Sequence, residues 1–153
     1  MRIRADTIPS EKKKTQVLCA FCFEDENTPI GLGKFNKKID QIVSQSVKEI
    51  KGKKNKITII HSHKDIPAER VLIAGIGKKN KITSDVIRDV TGNITKKIHD
   101  LGIKEFTIIV PNKSSIKTSQ TISAIVEGAN LSLYDFDLFR KEKSNKNQPD
   151  LSL

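Results

Sequence analysis

The 153-residue sequence has no tryptophan, one tyrosine, one methionine and two cysteines, and aromatic side chains make up only 5% of it. Two cysteines cannot build the bridge framework that staples small secreted folds. Cys19 and Cys22 form a C-x-x-C pair, but no second pair exists to complete a structural zinc site. Both lie inside VLCAFCF, an apolar run that reads as a buried strand. Residues three apart on a strand point to opposite faces, so the two sulfurs cannot meet, and small core residues are the better reading. The lack of tryptophan leaves few platforms for stacking nucleic-acid bases. No apolar run approaches the about 20 residues of a membrane-spanning helix. The opening MRIRADTIPSEKKK has no apolar core of an export signal. With reduced thiols, this sets the expectation of a cytoplasmic protein without a membrane partner.

What the chain does have is positive charge: 28 Lys and Arg against 18 Asp and Glu, a formal +10, with a pI near 9.6. Such a balance raises the question of nucleic acid. Lysine carries nearly all of it, since the arginines are Arg2, Arg4, Arg70, Arg88 and Arg140. In sequence the lysines are spread over EKKK, NKK, KGKKNK, GKKNK, TKK and KEKSNK. Together with abundant Ile and Asn, that spread reads as compositional bias and a solvated surface, and a nucleic-acid role is not favoured. The length and the 36% hydrophobic content suit one domain with a real core.

Four continuous apolar runs read as strands buried on both faces: Val17–Phe23, Ile57–Ile60, Val71–Ile76 and Phe106–Val110. A short edge strand fits near Arg2–Ala5. Three amphipathic stripes read as helices. The first runs through Phe35, Ile39, Ile42, Val43, Val47 and Ile50. The second uses Ile87, Val90, Ile94, Ile98 and Leu101, with cap candidates Thr83 and Ser84 before it and Gly102 after it. The third uses Ile122, Ile125, Val126, Ala129 and Leu133, capped by Thr118 or Ser119. The link HSHKDIPAE between the second and third strands is too short for a crossover helix, so those strands, if adjacent, must be antiparallel. Right-handed crossovers join the others. The expected fold is a three-layer α/β domain, a mixed and mostly parallel sheet with helices on both faces.

AERVLIAGIGKKNKIT, residues 68–83, has the parts of a phosphate loop: strand, glycines, cations and helix start. The spacing is wrong for one. Counting from Gly75, the third glycine of G-x-G-x-x-G falls on Asn80, and only two residues separate Gly75 from Lys78, too few for G-x-x-x-x-G-K-[ST]. A sharp strand-to-helix turn is the better reading. His61 and His63 could share a face, but His99 is the only other histidine, and a metal needs more ligands. Glu24, Asp25 and Glu26 follow the first strand with no nucleophile or orienting partner nearby, and read as a solvated loop. No residue of this chain is therefore assigned a catalytic, cofactor-binding or metal-binding role.

Four stretches in order resemble the N-terminal domain of the leucine (cytosol) aminopeptidase family of two-metal metallopeptidases. They are VLCAFCFEDENTPIG, PAERVLIAGIGKKNKIT, ITKKIHDLGIKEFTIIVP and AIVEGANLSLYDFDLFRKEK. In the last, Glu127, Gly128, Tyr134, Phe136 and Lys141 stand in or near the family's places, while Ser132 replaces a usual glycine, Phe139 a tyrosine and Arg140 a lysine. The resemblance implies a macro-domain-like fold over residues 1–140. Residues 141–153 would then be an interdomain linker and the start of a catalytic domain. It also implies a protein that removes N-terminal amino acids from peptides using two divalent metals, manganese or zinc, and assembles as a homohexamer. The family's catalytic signature N-T-D-A-E-G-R-L is absent here, so the fragment is expected to be inactive and monomeric by itself. The alternatives from other classes are an ADP-ribose or nucleotide module and a basic nucleic-acid-binding domain.

Overall fold

The run TQVLCAFC lies at the centre of the sheet, with seven of its eight residues buried. In the computed structural model, residues 1–62, 64–112, 115–138 and 150–153 are described. The strands are β1 (Ile3–Arg4), β2 (Thr15–Cys22), β3 (Ile57–His61), β4 (Ala68–Gly75), β5 (Glu105–Ile108) and β6 (Asp150–Ser152), and the helices α1 (Lys37–Ile50), α2 (Ser84–Asp100) and α3 (Thr118–Leu138). The sheet order is β1-β6-β5-β2-β4-β3. All neighbours are parallel except β3 and β4, which run antiparallel with Ile59 opposite Leu72. The short link between those two strands dictates that reversal, as expected.

Alternation along the strands divides the core. Cys22, Ile60, Val71 and Ile73 face α1, which buries Ile39, Val43 and Val47 against them. Val17, Cys19, Phe21, Leu72, Ala74, Phe106 and Ile108 face the other way, onto Ile87, Val90, Ile94 and Ile98 of α2 and Ala124, Ile125 and Ala129 of α3. Each buried Val, Leu, Ile or Phe among them contributes about 1.5–3 kcal/mol of transfer free energy. The helix starts are capped by polar side chains. Asn36 accepts from the Ile39 amide at 2.9 Å and Thr83 from the Val86 amide at 3.3 Å.

Helices α2 and α3 cross closely because Gly128 has no side chain. A Cβ there would lie 2.2 Å from the Arg88 carbonyl oxygen. Ser132, where the resembled motif usually has glycine, is accommodated. It packs opposite Gly92 and its hydroxyl donates to the Ala129 carbonyl at 2.8 Å.

The end of the chain adds a strand that the sequence pattern does not show. Residues 139–149, with Phe139, Arg140 and Lys141, lie outside the described residues, so the linker expected there is not tested. Asp150–Ser152 form β6 inside this sheet, between β1 and β5. Leu151 pairs with Ile3 on one side and Phe106 on the other, and is only 2% exposed. A three-residue strand is too short to show a period, and its stability comes from these two neighbours.

Candidate functional site

In an open α/β sheet, ligands enter at the carboxyl ends of the parallel strands. Here that end carries the Gly75–Gly77 turn, and its amides already have partners. Gly75 N–H donates to the Lys56 carbonyl at 2.8 Å, Ile76 N–H to Cys22 at 3.0 Å and Gly77 N–H to Gly52 at 2.9 Å. A phosphate cradle needs such amides free. Gly75 is there for close approach: a Cβ would sit 2.1 Å from the Lys53 carbonyl oxygen. The first turn of α2 has the Thr83 side chain as its cap. The turn is a packed junction between β4 and the loop that ends α1.

Beside it, Glu24 and Asp25 are exposed, and the Glu24 amide donates to the Gly77 carbonyl at 2.9 Å. Glu26 pairs with Lys79 at 2.9 Å, and that ammonium lies 5.7 Å from the Phe23 ring centre. The three carboxylates therefore surround no nucleophile. His61 ends β3 and is exposed, His63 lies outside the described residues, and His99 occupies the last turn of α2, Nδ1 3.9 Å from Asp100 Oδ1. Among the described residues, no three His, Cys, Asp or Glu side chains come together as a metal site. Among the described residues the donor set does not fit the two divalent metals that the resemblance implies.

Cys19 and Cys22 occupy opposite core layers, as strand geometry requires. Burial raises both thiols, Cys22 to about 11, which removes the thiolate needed for redox or metal chemistry at neutral pH.

Sequence reading missed one polar cluster. Lys13, within EKKK, is not solvated. It is 9% exposed, with its ammonium paired to the Asp6 carboxylate and donating to Ser152 Oγ at 3.2 Å. Ser152 Oγ in turn lies 3.4 Å from Asp6 Oδ2. These groups edge a cavity of about 260 Å³ that Arg2, Arg4, Glu105 and Asp150 also line. Acid and base are balanced there, and the cluster ties the N-terminal segment to β6. No sequence signal marks it, because Ser152 lies 139 positions from Lys13.

The fold is that of a macrodomain-like α/β domain. A macrodomain mutant from Oceanobacillus iheyensis superposes with a TM-score of 0.68 over 99% of this chain and 82% of its own, at 8% identity. A mutant of tomato leucine aminopeptidase matches with a TM-score of 0.76 over 99% of this chain and 32% of its own, at 14% identity. At these identities only the fold is shared. The model of the cytosol aminopeptidase family, N-terminal domain, matches residues 18–143. A probable cytosol aminopeptidase from Cenarchaeum symbiosum (strain A) is 35% identical over 153 residues, which is 100% of this chain and 30% of that protein. Another, from Geobacter sulfurreducens, is 28% identical over 109 residues, 67% of this chain and 22% of that protein. The chain belongs to the cytosol aminopeptidase family, and it is the N-terminal domain of that family. It spans less than a third of the length of these curated relatives. Among the described residues no helix is long and apolar enough to cross a membrane.

Proposed function

We propose that this domain is the non-catalytic part of a cytoplasmic aminopeptidase that removes N-terminal amino acids from peptides with two divalent metals, manganese or zinc. The metals and the peptide would bind a catalytic domain outside this chain, and the full-length protein would assemble as a homohexamer through that domain. The carrying observation is the match of the family's N-terminal domain to residues 18–143 of a chain that spans 30% of a full-length relative. The role left to this domain is to shape assembly and access to the active site.

An ADP-ribose or nucleotide module is the competing reading. It draws on fold alone, and the committed amides of the Gly75–Gly77 turn speak against it. Metal analysis after dialysis tests the proposal. A chain extended to the length of the relatives should retain two divalent ions per subunit, and the 153-residue chain none. Light scattering should show the shorter chain as a monomer. A stable hexamer of it would place the assembly contacts in this domain.

A further inference from the structure

One face of the sheet is polar along β5, β6 and β1. Phe106, Leu151 and Ile3 of these strands point towards α2 and α3, so the residues alternating with them point the other way. The register sets those residues in two rows across the strands. Arg2, Asp150 and Glu105 form the first row, and the Arg2 amide donates to Asp150 Oδ1 at 3.1 Å. Arg4, Ser152 and Thr107 form the second. Two residues of strand, about 6.6 Å, separate the rows. Their charges differ. The first row holds two carboxylates and one guanidinium, and is negative. The second holds the Arg4 guanidinium, while the Lys13 ammonium that reaches Ser152 is balanced by Asp6, so this row is positive. For Arg2, Arg4, Glu105 and Asp150 no ion pair is found among the described residues. Thr107 Oγ1, buried beside Ser152, likewise has no hydrogen-bond partner among them. Apart from Thr107, all these side chains line the cavity of about 260 Å³ described above.

From this arrangement we propose that the cavity binds a free α-amino acid as its zwitterion. The ammonium lies towards Glu105 and Asp150, and the carboxylate towards Arg4, Lys13 and Ser152. A lone anion or a lone cation would meet one attracting row and one repelling row, whereas a zwitterion is attracted by both. The guanidinium of Arg4 suits a carboxylate because it can donate two parallel hydrogen bonds. Size agrees as well. At about 30 Å³ per water molecule, a cavity of about 260 Å³ has room for roughly nine. A leucine-sized amino acid has about that many non-hydrogen atoms. Lys13 is buried and already paired, so the second row is in place before a ligand arrives. The choice of a free amino acid, the product of peptide trimming, rests on the aminopeptidase reading above; the binding of a zwitterion does not. Turnover tests the first and titration of this chain the second. Since the cavity joins β1, β6 and the segment holding Asp6 and Lys13, an occupant would also fasten these parts together and raise the melting point.

Titration calorimetry of the 153-residue chain with free leucine tests this. Isocaproate and isoamylamine, which each keep one of leucine's two charges, serve as comparison probes. Leucine should bind saturably, and each single-charge probe at least tenfold more weakly. Arg4→Gln and Glu105→Gln should each weaken leucine binding by roughly tenfold or more, the worth of one hydrogen bond to a charged group. Arg4→Lys, which keeps the charge, should recover part of that loss. Lys97→Gln and Asp100→Asn, exposed on α2 beyond the other face of the sheet, should leave binding unchanged. Circular dichroism should show every variant folded. Absence of saturable leucine binding by the parent chain would overturn the proposal. Equal binding of either single-charge probe would make this a simple ion site and overturn the zwitterion. Equal weakening by the α2 variants would place the binding elsewhere and overturn the assignment to this cavity.

Discussion

The α-carbon of Gly75 faces the carbonyl of Lys53 so closely that a Cβ would stand 2.1 Å from its oxygen. Backbone rather than a flexible side chain occupies the space, so Gly75→Ala must move the loop after α1 away from β4. The expected cost is about 2–4 kcal/mol. Gly92, inside α2, is the opposite case: a Cβ there meets its neighbours at ordinary contact, 3.5 Å and beyond. Gly92→Ala should stabilise by about 0.5–1 kcal/mol through helix propensity. Urea denaturation of the two variants checks the contrast in sign.

The Lys13–Asp6 tie makes stability depend on pH at the acid end. Hydrogen bonding from Lys13, the largest influence, holds the Asp6 carboxyl below its ordinary value, with Ile8 N–H and Ser152 assisting against desolvation. A carboxyl depressed in the folded state stabilises above its unfolded pKa of about 3.9, and that contribution disappears as pH falls through the lower folded value. Asp6→Asn should therefore lower the urea midpoint at pH 7. It should also reduce the loss of stability that the parent chain shows below about pH 4.

Strand β6 belongs to this domain's core, and two leucines separate that claim from its opposite. Leu151 is 2% exposed and Leu131, on α3, is 57% exposed. Leu151→Ala should cost about 2–4 kcal/mol as a cavity in the sheet layer. Leu131→Ala should change stability by no more than about 0.5 kcal/mol. Equal, small effects measured by thermal or urea unfolding would mean that the strand does not dock.

The fold was legible wherever local rules act alone. Val17–Phe23 and Val71–Ile76 showed as buried strands because both faces are covered and no polar residue interrupts them. Thr83 was readable as a cap from its place before the Ile87 stripe, and the β3–β4 reversal from the length of one link. What escaped depends on partners far along the chain. Leu151-Ser152-Leu153 says nothing of β1 and β5, and Lys13 looks like its exposed neighbours Lys12 and Lys14 until Asp6 and Ser152 close on it. For the same reason the lysine runs looked scattered, since only the backbone bonds of Gly75 and Gly77 bring 51–56 beside 77–81. Spacing marks Gly75–Gly77 as a turn, while the reason for Gly75 lies in the approach of another backbone.

The most direct measurement is turnover of a leucyl chromogenic substrate with added Mn²⁺ or Zn²⁺. It compares the 153-residue chain with one extended to the length of its relatives. A division of labour between a non-catalytic N-terminal domain and a catalytic remainder requires metal-dependent hydrolysis by the extended chain and none by the shorter one. Metal-dependent hydrolysis by the pure 153-residue chain would contradict it.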